Sequence, residues 1–182
     1  QVRNIYLLNT CNKPSAIMTI KPGTILISSP VLDDPNFDKV VIYICEYNDK
    51  GAMGFVINHI FPRAFNELTE FKTSRTFPLF DGGPVENEKL FFLHRRPDIV
   101  EGGTKTANGI YLGGNFEQAV THINNYNQPE NDIKLFVGYC GWDPRQLETE
   151  IEEGSWLIVD AAVENIFAID TTMLWEELYV KQ

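Results

Sequence analysis

Apolar and polar positions alternate with several different periods along this 182-residue chain, and each change of period marks an element. Residues 24–29 form a short β-rich run closed by Pro30, and residues 39–47 form a longer β-branched and aromatic run with the length of a strand. Asp33-Asp34-Pro35 supplies the turn between them. Asn48-Asp49-Lys50-Gly51 then separates the long run from a second apolar run at residues 53–58, a pattern that predicts an antiparallel hairpin. Phe65, Leu68 and Phe71 recur at i, i+3 and i+6, which predicts a short amphipathic helix over 64–71. An apolar run at 77–80 leads into the sharp turn Gly82-Gly83-Pro84, residues 89–94 read as a buried strand, and a shorter strand at 109–112 ends at Gly113-Gly114.

Asn115 is placed to cap a helix with Gln118 at its third position, running through Ala119, Ile123 and Tyr126 until Pro129 stops it. Residues 133–139 return to strand. Four cues then predict the next helix start: Asp143 as N-cap, Pro144 at the first position, Gln146 at the third, and Trp142 facing Leu147 as a hydrophobic staple. Gly154 ends that helix, 156–159 is another buried strand, and 163–169 reads as a further extended run. Leu174, Trp175 and Leu178 give residues 171–180 an amphipathic helical face. Strands and helices interleave without a regular βαβ cadence and with a hairpin, so the pattern predicts an α+β domain on a mixed sheet. Residues 1–22 have weak periodicity and read as an N-terminal arm before a single domain at 23–182.

Composition narrows the function. Hydrophobic residues make up 43% of the chain, with twelve Phe, seven Tyr and three Trp, enough to bury a core without metals or disulfides. Fifteen Lys and Arg against twenty-five Asp and Glu give 15 − 25 = −10, a field that repels phosphate backbones and anionic lipid. Cys11, Cys45 and Cys140 are odd in number, widely spaced and without a C-x-x-C pair, which fits a reducing cytoplasm better than a disulfide framework. The longest apolar run, 40–45, falls far short of the ~20 residues needed to cross a bilayer.

Several segments together resemble one family. P-V-L-D-D-P-N-F at 30–37, V-V-I-Y-I-C-E at 40–46, G-A-M-G-F-V-I-N at 51–58, G-G-P-V at 82–85 and G-Y-C-G-W-D-P-R-Q-L-E-T-E-I at 138–151 are similar, in order and spacing, to the AlgH/YqgE family of bacterial proteins. The resemblance spans about residues 23–179. It implies a bifurcated β structure containing a small closed barrel, surrounded by helices, in an intracellular protein. Members are often labelled transcriptional regulators, and the resemblance carries no catalytic or ligand-binding residues across. The chain departs from the family pattern at Cys140 and at Pro144-Arg145.

The chain lacks the signatures of dinucleotide, P-loop, zincin, nucleophile-elbow and EF-hand sites. His59, His94 and His122 do not stand at metal-ligand spacing to one another or to a cysteine, so neither a metal nor a cofactor is expected. Three candidate sites remain. Gly113, Gly114 and Asn115 lie at a strand-to-helix turn whose amides could hold an anion, although the same residues are ordinary turn chemistry. Tyr139, Cys140 and Trp142 form an aromatic and thiol corner before a helix, where a lowered thiol pKa would make Cys140 reactive; the plainer reading is a staple and a buried filler. His94 ends a buried strand beside Arg95 and Arg96, the one basic spot.

The acidic residues Glu148, Glu150, Glu152 and Glu153 read as a solvated face, and their sign is opposite to that of a DNA-recognition helix. The leading expectation is a non-enzymatic regulatory module with a protein partner. A nucleic-acid-binding regulator is one alternative. An enzyme or small-molecule binder is another, favoured if one pocket joins the Gly113 turn to the Tyr139 corner.

Overall fold

The computed structural model describes residues 19–182; Cys11 and the arm up to residue 18 lie outside the described residues. Its strands are β1 (Ile25–Ser28), β2 (Val41–Asn48), β3 (Gly51–Val56), β4 (Leu79–Asp81), β5 (Val85–His94), β6 (Thr104–Lys105), β7 (Tyr111–Leu112), β8 (Ile133–Trp142) and β9 (Trp156–Val159). The helices are α1 (Phe116–Asn125), α2 (Gln146–Glu152), α3 (Val163–Ile166) and α4 (Leu174–Tyr179). The strands pair in the order β6-β7-β5-β8-β3-β2-β1-β9, with β4 on β8. Every pairing is antiparallel except β4 with β8, so the fold is α+β on a mixed sheet, as the pattern predicts.

The sheet forks at β8. Cys140, Gly141 and Trp142 pair with Gly54, Met53 and Ala52 of β3, after which the two strands diverge. The gap is filled by β4, whose Leu79, Phe80 and Asp81 lie parallel to Leu135, Phe136 and Val137. The other edge of β8 carries β5, from Val85 opposite Tyr139 to His94 opposite Ile133. The expected closed barrel is not present: among the described residues the pairing path ends at β6 and β9, and those two edges do not meet, as closure requires.

Gly138 sits at the fork with φ +69°, in the left-handed region that glycine adopts without a Cβ penalty. Before it, Ile133, Leu135 and Val137 face the core under α1, while Phe136 faces the core under α4. After it, Cys140 and Trp142 face a third core, with Leu147 of α2 and Trp156 of β9. The strand's period-2 alternation is therefore reset at Gly138, and one strand serves three packing layers. A Cβ on Gly138 would stand 2.2 Å from the Gly83 carbonyl oxygen, so the fork also depends on close backbone approach.

Local structure departs from the pattern in three places. Residues 64–71 form two 3₁₀ turns, Phe65–Glu67 and Thr69–Phe71, rather than an α-helix. The i, i+3, i+6 spacing is a three-residue period, and it places Phe65 and Phe71 in a stack at 4.3 Å. Val163–Ile166 is a helical turn, not part of an extended run; Asn165 Oδ1 accepts from the Ala162 N–H at 3.0 Å and turns the chain. The second helix starts at Gln146 rather than after Asp143, because Arg145 takes φ +67°. The predicted Gln146 contact is nevertheless made: its Oε1 accepts from the Asp143 N–H at 3.0 Å. The β2–β3 hairpin and the Asn115 cap, whose side chain accepts from the Gln118 N–H at 3.1 Å, match the expectation.

Candidate functional site

All five segments that carry the family resemblance reach one face. The 3₁₀ turn Pro35–Phe37, the start of β3, the Gly83-Pro84-Val85 bend and the end of β8 line three adjoining depressions of about 440, 370 and 520 Å³. Phe37 and Pro84 are shared by the first and second, and Val85, Gly141, Trp142 and Gln146 by the second and third, so the three form one groove. Among the described residues its walls carry Asp34, Glu46, Asp81, Asp143 and Glu150 against a single lysine, Lys50. Such a surface concentrates the molecule's negative field where a cation or a basic segment would sit.

The central depression is the most ordered. Glu150 accepts from the indole N–H of Trp142 at 2.9 Å, from that of Trp156 at 2.8 Å and from Gln146 Nε2 at 2.8 Å. Buried indoles need an acceptor for that N–H, and here one carboxylate serves both. Trp142 and Trp156 meet edge to face at 6.1 Å, and Phe37 packs edge-on against Trp156 at 5.5 Å. Asp34 Oδ1 accepts from the Asn36 N–H at 2.9 Å, which holds the 3₁₀ turn that presents Phe37.

Tyr139, Cys140 and Trp142 therefore belong to the groove, but Cys140 is not an activated thiol. It lies on β8, not at a helix start, and its Sγ is directed at the Gly82 carbonyl oxygen at 3.5 Å. Burial pushes its pKa up to about 12, with the Asp81 charge adding in the same direction, so the nucleophile that the corner suggested is held protonated.

The other predicted residues gather at the opposite end of the β5–β8 ladder. His94 is fully buried; its Nδ1 accepts from the Arg96 N–H at 3.2 Å, its ring stacks on Tyr111 at 5.5 Å, and burial lowers its pKa. Among the described residues its Nε2 makes no hydrogen bond of good geometry, and it faces the Gly103 backbone. Arg95 donates to the Asn131 carbonyl and lies over the Phe167 ring at 4.8 Å. Arg96 is paired with Asp98 at 2.8 Å and Asp132 at 3.2 Å, and Asp132 also meets His122 Nε2 at 2.9 Å. Within the basic spot the Arg96 charge is thus neutralised, whereas Arg95 is held by a carbonyl and a ring.

At the Gly113-Gly114-Asn115 turn, the Gly113 N–H donates to Phe92 O at 2.9 Å and the Asn115 N–H to Glu101 O at 2.8 Å. Tyr139 and His94 stand opposite Val85 and Ile133, six residues of β8 or roughly 20 Å apart along the strand. The Gly113 turn is not among the residues lining the groove, so the two predicted segments do not form one site.

Sequence reasoning missed Asp34, Phe37, Trp156 and Glu150. It took Glu150 for part of a solvated face, whereas the side chain turns inward to two indoles. The available signal was two tryptophans flanking the same short helix, each needing a buried acceptor. Lys134 was also missed: it is 3% exposed, with Nζ 3.6 Å from the Phe80 ring centroid and 3.3 Å from Ala168 O. Among the described residues no three His, Cys, Asp or Glu side chains gather as metal ligands do, and no helix is long and apolar enough to cross a membrane.

Comparison with known proteins places this geometry in a family. The AlgH-like family model matches residues 25–182. A UPF0301 protein of Chlorobaculum tepidum, CT0663, is 36% identical over 163 residues, covering 86% of this chain and 83% of the relative. A UPF0301 protein of Bacteroides thetaiotaomicron is 36% identical over 162 residues, covering 87% and 81%. The solution structure of AlgH from Pseudomonas aeruginosa superposes with TM-score 0.70 at 26% identity, covering 86% of this chain and 85% of that one. The crystal structure of DIP2367 from Corynebacterium diphtheriae gives TM-score 0.74 at 22% identity, covering 90% and 88%. The names of these relatives state no activity.

Proposed function

As the chain belongs to the AlgH-like family, whose membership assigns it a fold but no reaction, we propose that it is a non-enzymatic interaction module. Its groove receives an extended segment of a partner protein bearing basic and apolar side chains. The observation that carries this reading is the groove's lining: five carboxylates and one lysine around an aromatic centre. Charge complementarity of that kind selects the partner's sign and speeds its encounter. The buried thiol with pKa about 12 and the self-paired Arg96 supply no matching case for catalysis or for phosphate binding.

The test is affinity capture from native cells, with and without nuclease, using the natural chain and a double variant, Glu46→Lys with Asp143→Lys. Both positions are exposed on the groove rim, so the variant is expected to fold normally. The expected outcome is a nuclease-resistant protein that the natural chain retains and the variant releases, and that binds the purified natural chain directly. Recovery of nucleic acid, lost on nuclease treatment and unaffected by the variant, would overturn the proposal in favour of a nucleic-acid regulator.

A further inference from the structure

We propose that the central depression of the groove is a pocket for the guanidinium group of an arginine on the partner segment. This rests on the groove being a protein-docking surface and names what its middle reads. The pocket, about 370 Å³, is walled by Trp142, Trp156 and Phe37 with Glu150 and Asp34, and among the described residues no Lys, Arg or His lines it. Both indole N–H groups and the Gln146 amide are spent on Glu150, and the Cys140 thiol is directed at Gly82. What these groups leave to an incoming ligand is negative charge and the half-buried Phe37 ring, beside the edges of two indoles that are only 7% and 3% exposed, with few donors for an anion.

The same bonding decides between cations. Glu150 already accepts three hydrogen bonds, and Asp34 Oδ1 accepts from the backbone and side chain of Asn36. A primary ammonium is a compact, strongly hydrated charge that would shed water here for little new hydrogen bonding. Guanidinium is planar, more weakly hydrated and stacks on aromatic rings, so it loses less on entering and gains the half-buried Phe37 ring as well as the field. The depressions on either side, sharing walls with the pocket, leave room for the chain that carries the arginine.

The experiment titrates the purified full chain with acetyl-Ala-Leu-Arg-Leu-Ala-amide and with the same peptide carrying citrulline, the neutral isostere, in place of arginine. The readout is the indole N–H resonances of the three tryptophans. Trp175 serves as the internal control, because it packs in a different core from Trp156 and lines none of the three depressions. The expected result is saturable shifts at Trp142 and Trp156 but not Trp175, with the arginine peptide binding about tenfold more tightly than the citrulline peptide. Glu150→Gln is expected to abolish that preference. Because Glu150 also organises the indoles, Asp34→Asn, which keeps an acceptor for the Asn36 N–H, is the milder second variant and is expected to reduce the preference about threefold.

Equal binding of the two peptides would overturn the arginine assignment. So would still indoles with shifts confined to rim amides such as Glu46 and Asp143, an outcome that leaves the docking groove standing. Absence of response anywhere along the groove would count against both.

Discussion

Lys134 is the residue whose environment is most at odds with its chemistry. Its ammonium is buried against the Phe80 ring and one backbone carbonyl, and burial lowers its pKa to about 7. In the unfolded chain a lysine titrates near ~10.4. Between these values the unfolded state binds the extra proton, so stability rises with pH from about 7 towards about 10, and the full penalty is felt below pH 7. Urea unfolding should show that rise for the natural protein. Lys134→Met should flatten it and add about 1–4 kcal/mol at pH 6, since apolar replacement of a buried ionic group is commonly stabilising. A variant less stable than the natural chain at pH 6 would mean that the ring and carbonyl contacts outweigh desolvation. The sequence did contain this clue: a lysine inside I-K-L-F-V, where both faces of the strand are apolar.

At the scale of elements, local signals were readable where short-range chemistry decides the outcome. The Asn115 cap, the 48–51 hairpin turn and the C-terminal amphipathic helix are all specified by neighbours within a few residues. The start of α2 was displaced because Arg145 adopts a left-handed conformation that no residue preference anticipates. The first four residues of the run expected to be extended at 163–169 are helical because one Asn side chain satisfies a free amide. Gly138 opens a segment that carries the family resemblance, yet its role as the point where β8 changes faces needs the partner backbone. Gly138→Ala should therefore cost at least about 3 kcal/mol in urea unfolding, from strain at φ +69° plus collision with the Gly83 carbonyl. Gly154→Ala is the matched control: it has φ +82° but open space around the added methyl, and should cost only about 1 kcal/mol. Equal costs would show that the approach of the two backbones is not what matters.

For the molecule as a whole, fold class was legible from the interleaved periods, but the fork and the groove were not. Tyr139, Cys140 and Trp142 were picked out as a corner, and the groove does include them. Two of its other walls, Asp34 and Phe37, come from more than a hundred positions away, and the β1–β9, β3–β8 and β5–β8 pairings bring the walls together. The charge told a coarse truth: −10 weighs against phosphate ligands, but only the structure shows that the acidic side chains include a cluster around two indoles.

The strand that both arms of the fork share has a consequence for how the protein opens. Because β3, β4 and β5 all bond to β8, neither arm can detach without exposing the amides that the other depends on. The two halves then form one cooperative unit rather than two separately melting ones. Native-state hydrogen exchange should find the β8 amides on both sides of Gly138 exchanging together, at the slowest rate in the protein and with the free energy of global unfolding. Early exchange of residues 133–137 while 139–142 stay protected would show that the fork is a hinge between independent parts.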